Sequence, residues 1–210
     1  MSDLDHFDLV PLSVDSVSKD VSLGRGASSS LGSRALGAEL AQLNELHRAM
    51  LALETPGQVP PPPIPVNPKR TAQVTKLRDN GNGEYRKQRY EEAVRHYTLG
   101  IQMALARPLW EPSALAREEV AGLLANRAQA HMALLAWPEG AVDALASVEA
   151  RRLGNAKAWW RRGRCLYEMA RLDEAREWVK EGLEVEGEEA DLVSLLKEIE
   201  ARIKKQKTEQ

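Results

Sequence analysis

Internal repetition is the feature that most limits the folds open to this chain. Three segments between residues 77 and 182 share one spacing of small and large apolar residues. The third is the clearest, with Trp159, Gly163, Leu166, Leu172, Ala175, Val179 and Gly182. The first places at the same offsets Leu77, Gly81, Tyr90, Ala93, Tyr97 and Gly100. The second is weaker and carries Leu124, Ala128, Trp137, Gly140 and Ala144. Repeats of this length bury their apolar faces only against one another, so the pattern predicts a solenoid.

These residues resemble the tetratricopeptide repeat, which is a pair of antiparallel helices that approach closely at the small positions. We therefore predict an all-α solenoid of three repeats over residues 70–205, with a short tail at 206–210. The spacing from Leu77 to Leu124 exceeds one 34-residue repeat by about a dozen residues. The excess lies around 107–117, where Pro108 and Pro112 predict a long connection between helices.

A last helix is predicted after Glu188, because its apolar residues share one side. They are Leu192, Leu195, Leu196, Ile199 and Ile203. A helix that caps the last repeat fits this pattern, as the ends of solenoids require. A partner-binding helix is the less economical alternative.

Residues 1–55 have a different character. Val10, Leu12 and Val14 alternate with other residues, which is typical of a half-buried strand. A short hairpin and a disordered tail are equally compatible with this stretch.

An amphipathic helix is predicted over residues 35–53 from apolar residues at spacings of three and four. The stripe consists of Leu36, Leu40, Leu43, His47, Met50 and Leu53. Its apolar face either folds back on the main domain or is covered by another polypeptide. We favour the partner, because residues 56–69 hold seven of the eleven prolines and form a stiff, extended linker that makes a poor return loop. A ligand for a proline-recognising domain is the alternative reading of that linker.

Several classes of function are excluded or disfavoured by composition. A net charge of −2 gives no reason to expect a nucleic-acid partner, and no apolar run approaches the length of a membrane span. The four histidines lack the spacing of metal ligands, and Cys165 has no evident catalytic base. The sequence therefore predicts a protein that is not an enzyme and that needs no metal or cofactor.

Polar residues on the first helices of the repeats provide the candidate binding site. Arg78 and Asn82 are four residues apart in the first repeat, as are Lys157 and Arg161 in the third, so each pair shares a helical face. Asn126 lies on the first helix of the second repeat. First helices line the concave surface of such a solenoid, so all five residues are expected to meet in one groove. Amide and cationic groups in that arrangement suit a chain terminus that carries carboxylates.

These five residues resemble the two-carboxylate clamp with which tetratricopeptide co-chaperones hold the Glu-Glu-Val-Asp tail of cytosolic Hsp70 or Hsp90. Arg78 departs from the pattern, because lysine is usual there and arginine has a different reach and geometry. The alternative is that the basic residues only solvate exposed helix faces. We favour the clamp, because both asparagines and all three cations match at once.

The layout as a whole is similar to that of the fungal tetratricopeptide subunits of the post-translational ER translocation (Sec) complex. The likeness includes the connection Ala-Arg-Pro-Leu-Trp-Glu-Pro that follows the first repeat. It implies a peripheral protein on the cytosolic face of the ER, held by a small membrane-anchored Sec subunit and through it near the J-domain subunit and the channel. Its groove is expected to recruit cytosolic Hsp70 carrying a precursor. A general soluble co-chaperone scaffold for Hsp70 or Hsp90 is the alternative.

Overall fold

The computed structural model of this 210-residue chain describes residues 11–24, 33–53, 57 and 66–208. The described residues divide into two compact units. The N-terminal unit holds residues 11–24, 33–53, 57 and 108–110, and the repeat unit holds residues 66–107 and 111–208. Most of the linker predicted at 56–69 lies outside the described residues, as do Val10 and the start of the chain.

The N-terminal unit consists of a two-stranded hairpin and one helix. Strands β1 (Leu12–Val14) and β2 (Val21–Leu23) pair antiparallel, with Leu12 opposite Leu23. Helix α1 spans Ser33–Leu51, close to the range predicted from its apolar stripe. Of the two structures that the sequence allowed for the start of the chain, the hairpin is therefore the one observed over residues 11–24.

The repeat unit is built from three antiparallel helix pairs and a closing helix. The pairs are α2 (Pro68–Arg86) with α3 (Tyr90–Leu105), α4 (Ser113–Ala133) with α5 (Trp137–Ala150), and α6 (Ala156–Glu168) with α7 (Leu172–Glu186). Helix α8 (Ala190–Thr208) follows and packs on α6 and α7. This architecture confirms the all-α solenoid of three repeats. Helix α2 begins inside the range predicted as linker, because Asn67 caps it by accepting the N–H of Lys69 and Pro68 suits the first turn.

Small residues allow the helices of each pair to approach closely. A Cβ added at Gly81 would lie 2.5 Å from the ring of Tyr97, and one added at Gly163 would lie 2.5 Å from Cγ2 of Val179. Both glycines are in the first helix of a pair, and both large partners are in the second. The repeated spacing in the sequence is therefore the spacing of these close contacts.

Two apolar clusters form the core of the repeat unit. One lies around Tyr97, Ile101 and Leu123 between the first pair and α4. The other lies around Trp159 and Val179, and it is completed by residues of α8, namely Leu192, Leu195 and Ile199. Helix α8 therefore covers the apolar surface that the last repeat leaves open.

The joint between the first two pairs differs from the expected long loop. Only residues 106–112 connect α3 to α4, and α4 has 21 residues where the corresponding helix α6 has 13. The extra residues lengthen the start of α4, because Ala114 to Glu119 are mostly good helix formers once Pro112 has ended the connection.

An ion cluster anchors this joint. The buried Arg107 guanidinium donates from Nε and Nη2 to Glu119, from Nη1 to Glu111 and from Nη2 to Thr71 in α2. The hydrogen bonds that Arg107 donates to these carboxylates, to Glu119 above all, raise the pKa of Arg107 above its ordinary range.

None of the helices in the described part of the chain has the length and apolarity that crossing a bilayer requires.

Candidate functional site

A groove of about 1170 Å³ runs along the inner helices of the repeat unit. It is lined by residues from α4 and α6, the starts of α5 and α8 and the ends of α2 and α7, together with the connections that precede α6 and α8. Three of the five predicted site residues line it: Asn126, Lys157 and Arg161. The structure therefore brings the second and third repeats together at one surface, as stacked first helices require.

Asn82 reaches the groove through a hydrogen bond. Its Oδ1 accepts from Nδ2 of Asn126 at 3.1 Å and from the hydroxyl of Tyr97 at 2.8 Å. Burial raises the pKa of Tyr97 to about 12, so the phenol stays protonated and remains a donor. These two bonds fix the amide of Asn82 and leave its Nδ2 group and Oδ1 of Asn126 available to a ligand.

Arg161 is a buried cation at the floor of the groove, with 8% of its surface exposed. Nη1 donates to the carbonyl of Ala125 at 2.8 Å and Nη2 to Oε1 of Gln129 at 2.7 Å. Burial lowers the pKa of Arg161, and within residues 66–208 no carboxylate pairs with it. An arginine can donate five hydrogen bonds, so a rigidly held guanidinium keeps donors for an anion.

Lys157 lies one helical turn before Arg161 and projects from the same face of α6. Its side chain is exposed and makes no ion pair in the part of the chain that the structure describes. Arg164, one turn further on, also lines the groove, but Glu168 at 2.7 Å and Glu198 at 2.9 Å already neutralise it. The unneutralised positive charge of the groove is therefore concentrated at Lys157 and Arg161.

Arg78, unlike Asn82, neither lines the groove nor makes a described hydrogen bond to a residue that does. It is exposed on α2, one turn before Asn82, and its nearest carboxylate oxygen belongs to Asp79 at 3.7 Å. It therefore lies on α2 near Asn82 and is absent from the lining that holds Lys157 and Arg161.

The groove has two further features that the spacing of its amide and cationic residues does not predict. Partly buried aromatic and apolar side chains flank the cations, and they are Tyr85, Met132, Trp137 and Trp160. The repeat position of Trp137 predicts only a role in helix packing. The spacing of Trp160 from Lys157 and Arg164, three and four residues, would have placed it on the same face.

Acidic residues also line the groove. Glu186 accepts the N–H groups of Asn155 at 2.7 Å and Gly154 at 3.0 Å at the start of α6, and Glu189 and Asp191 follow it along the lining. Cations and carboxylates in one lining make the charge of the groove uneven, so an anionic terminus is attracted to one part of it and repelled from another.

Comparison with known proteins identifies the family. No family model matches the chain. A curated relative, the ER protein translocation subcomplex subunit sec67 of Schizosaccharomyces pombe, is 37% identical over 144 residues, which are 68% of this chain and 74% of the relative. The chain belongs to the sec67 family.

Solved structures share the fold of this sec67-family chain. A chain in the cryo-EM structure of the Sec complex from S. cerevisiae matches with a TM-score of 0.70 and 22% identity, covering 92% of this chain and 98% of that one. The second TPR domain of human RPAP3, in complex with the HSP70 peptide SGPTIEEVD, matches with a TM-score of 0.53 and 27% identity over 62% of this chain and 98% of that one. These matches confirm the tetratricopeptide fold, and the predicted membership of the Sec-subunit family is confirmed by sec67.

The predicted partner-binding residues of the sec67-family chain are on α1 and just beyond it. Leu36, Leu40, His47 and Met50 are partly buried, Leu43 is 39% exposed, and Leu53 follows the end of the helix. No residue of 11–24 or 35–53 is fully buried. The apolar stripe of α1 therefore keeps surface that another chain could cover.

Proposed function

We propose that this chain is a chaperone-docking subunit of the ER post-translational translocation complex, and that its groove holds the acidic C-terminal tail of cytosolic Hsp70. Arg161 carries the proposal. A guanidinium that is nearly buried and has no carboxylate partner among the described residues is costly, because it has lost water without gaining an opposite charge. An incoming carboxylate supplies that charge.

The neighbouring groups complete a site for two carboxylates. Lys157 adds a second cation one turn away, while the amides of Asn82 and Asn126 offer a donor and an acceptor to the end of a bound backbone. A charge-assisted hydrogen bond contributes about 1.5–3 kcal/mol net. A few such bonds, less the cost of ordering a tail, give a dissociation constant of the order of micromolar.

The neighbour from human RPAP3 supports the choice of ligand. That domain is bound to an HSP70 peptide ending in Glu-Glu-Val-Asp, whose acidic residues and terminal carboxylate crowd several negative charges into four residues. Arg161 and Lys157 offer the complementary charges, and the apolar residues around Trp160 are suited to the aliphatic side chains of such a tail.

The N-terminal unit supplies the second half of the proposal. The stripe of Leu36, Leu40, Leu43, His47, Met50 and Leu53 binds a small membrane-anchored Sec subunit, and through it the chain associates with the J-domain subunit and the channel on the cytosolic face of the ER. Its half-exposed apolar side chains and the lack of a fully buried residue among 11–24 and 35–53 support an interface rather than a closed core. The chain acts by docking and not by catalysis.

The tail proposal is tested with labelled SGPTIEEVD and the full chain by fluorescence anisotropy. We expect Lys157→Ala and Asn126→Ala each to weaken binding about tenfold or more, since each removes a ligand group worth about 1.4 kcal/mol or more. Lys180→Ala is the matched control, because it removes the same charge from an exposed position of α7 outside the groove. Circular dichroism of each variant checks that helicity is unchanged.

Two further arms make the test decisive. A peptide amidated at its C-terminus should bind much more weakly than the free acid, and binding should weaken as salt rises. Equal binding of the amide and the acid would show that no terminal carboxylate is held.

A general soluble co-chaperone scaffold is the second candidate. The groove supports it equally, because both functions require a site for an acidic tail. The two are separated by pull-down through residues 1–55 from solubilised ER membranes. Recovery of Sec subunits supports the translocation role, whereas tail binding with no Sec subunit recovered supports the soluble scaffold.

A further inference from the structure

One edge of the N-terminal hairpin presents backbone groups that no group among the described residues bonds. The N–H of Gly24 donates to the carbonyl of Pro11 at 2.7 Å, and that of Asp15 donates to the carbonyl of Asp20 at 3.0 Å. These pairs bracket the register in which Leu12 faces Leu23 and Val14 faces Val21. Antiparallel pairs alternate between bonded and non-bonded, so the peptide groups of Leu12 and Val14 point away from β2. They have no hydrogen-bond partner within the described residues.

The opposite edge of the hairpin, formed by β2, is covered by a side chain of α1 that bonds its outward backbone groups. Oδ1 of Asn44 in α1 accepts the N–H of Val21 at 2.7 Å, and its Nδ2 donates to the carbonyl of Val21 at 2.8 Å. A residue of a third strand would make the same two bonds. Arg48 pairs with Asp20 at 2.7 Å and holds α1 against the same edge. Within the described residues, the chain therefore closes β2 with its own side chain and leaves β1 open.

The two faces of the hairpin are unlike. Ser13 and Ser22 lie opposite each other on one face, with their hydroxyls 3.0 Å apart. The other face carries only aliphatic side chains, which are Leu12, Val14, Val21 and Leu23. Leu12 and Val14 are 52% and 59% exposed. A two-stranded ribbon is only marginally stable in water. Among the described residues, the β1 side of this apolar face and the outer edge of β1 both lack a partner.

We propose that an extended segment of the membrane-anchored Sec subunit pairs with the outer edge of β1 as a third strand. Its backbone bonds the peptide groups of Leu12 and Val14, and every second side chain is aliphatic and extends the apolar face. This rests on the proposed function, because the same unit carries the apolar stripe of α1 assigned to that subunit. The apolar stripe of α1 alone would bind the subunit by apolar contact. The third strand would add backbone hydrogen bonds, which fix the position of the subunit along β1.

The test uses the full chain and the cytosolic part of that subunit, and it measures their dissociation constant. Val14→Pro removes an N–H that points outward, so the bonds inside the hairpin are kept, and proline is tolerated at such an edge position. Val14→Ile is the matched control, because it keeps both the N–H and a β-branched apolar side chain. We expect Val14→Pro to weaken binding about tenfold and Val14→Ile to change it by less than about threefold, since loss of one interfacial hydrogen bond is worth about one power of ten.

Hydrogen exchange gives an independent measurement. In the free chain the amides of Leu12 and Val14 should exchange rapidly, and in the complex they should be protected together. Unchanged binding of Val14→Pro would overturn the third strand while leaving the proposed docking role intact. Weaker binding without protection of Leu12 and Val14 would also overturn it, because the proline would then act on the hairpin itself.

The remaining outcomes concern the identity of the occupant. If the unmodified chain does not bind the Sec subunit, the proposed function fails, and the strand assigned to that subunit fails with it. Concentration-dependent self-association of the free chain, with Leu12 and Val14 protected, would overturn the assignment by showing that a second copy occupies the edge.

Discussion

The two units of this chain use similar apolar patterns and reach different results. In the repeat unit, Tyr97 and Trp159 are 2% and 1% exposed, whereas in the N-terminal unit Leu12 and Val14 keep more than half of their surface in water. Helix α1 has an apolar stripe much like those of the repeat helices. The difference shows that a periodic apolar stripe predicts which side of a helix forms a contact. That side becomes part of a core only where another element of the same chain packs against it.

Size accounts for much of this contrast. Each repeat packs on the next, and α8 closes the last one, so apolar area removed from water accumulates along the stack at about 25 cal/mol per Å². A hairpin and one helix offer too little area to offset the conformational entropy of ordering them. We expect the N-terminal unit to acquire its stability from a partner.

Separating the two units should give the largest effect. A fragment of residues 66–210 should unfold cooperatively, with a midpoint within about 4 °C of the full chain, since a loss of about 1 kcal/mol shifts a domain of this size by that much. A fragment of residues 1–55 should show no cooperative transition. Thermal unfolding followed by circular dichroism measures both, and a sharp transition in the short fragment would mean that its core is self-sufficient.

A substitution at a helix–helix contact should weaken the repeat unit strongly. Gly163→Val places a branched side chain where even a Cβ would lie 2.5 Å from Val179 and 3.0 Å from Leu195. Overpacking of this kind costs about 3 kcal/mol, which urea unfolding of the full chain would show as a lower midpoint.

Gly83→Ala is the matched control for that substitution. A Cβ at Gly83, also within a first helix, meets nothing within 4 Å. Replacing it should stabilise the repeat unit by about 0.5–1 kcal/mol, because alanine loses less conformational entropy in a helix. Equal destabilisation by both substitutions would mean that the glycines are needed for backbone conformation and not for close packing.

A change of pH should alter the stability of the repeat unit by a smaller amount than these substitutions do. Burial lowers the pKa of His131 in the repeat unit below 6.5, although Asp143 opposes the shift. The folded unit then binds fewer protons than the unfolded chain, so its stability should fall as the pH drops below 6.5 and stop falling below the folded pKa. His131→Gln should remove this dependence, which urea titrations at several pH values would measure.

The hairpin should respond in a more acidic range. Hydrogen bonds from the N–H groups of Ser18 and Val17 hold the pKa of Asp15 below 3.8. The contribution of Asp15 is therefore present above pH 3.8 and is lost as the pH falls through the folded pKa. Hydrogen exchange at the turn would follow the loss, and a turn unchanged in acid would show that the Asp15 carboxylate does not hold it.

The sequence was most informative where steric constraints repeat. Gly81, Gly163 and their large partners recur because a helix pair can be this close only where one side chain is missing, so the pairs and their order were predictable. The joint after α3 was predicted less well, because two prolines indicate a break without showing where the next helix begins. The start of α4 is set by local helix propensity, and the length of a repeat does not specify that position.

The candidate site was predictable in part for a related reason. Helical spacing put Asn126, Lys157 and Arg161 on inner faces, and the structure brings these three to one groove. Spacing does not determine how far a side chain reaches along a superhelix, which is why Arg78 is separate from them. It also does not show which cations are already neutralised, and so it did not distinguish Arg161 from Arg164.

The ion cluster at Arg107 has a mechanical consequence for the groove. Its hydrogen bonds join α2, the connection at residues 106–112 and α4. They therefore hold the first two helix pairs together at the joint where the chain has extra residues. A solenoid bends by small rotations between neighbouring helix pairs. Because the Arg107 cluster restricts rotation between the first and second pairs, bending should occur mainly between the second and third. The spacing between Asn82 and Asn126 should then vary less than the position of the third pair. A tail bound as we propose would meet a rigid first contact followed by an adjustable second one.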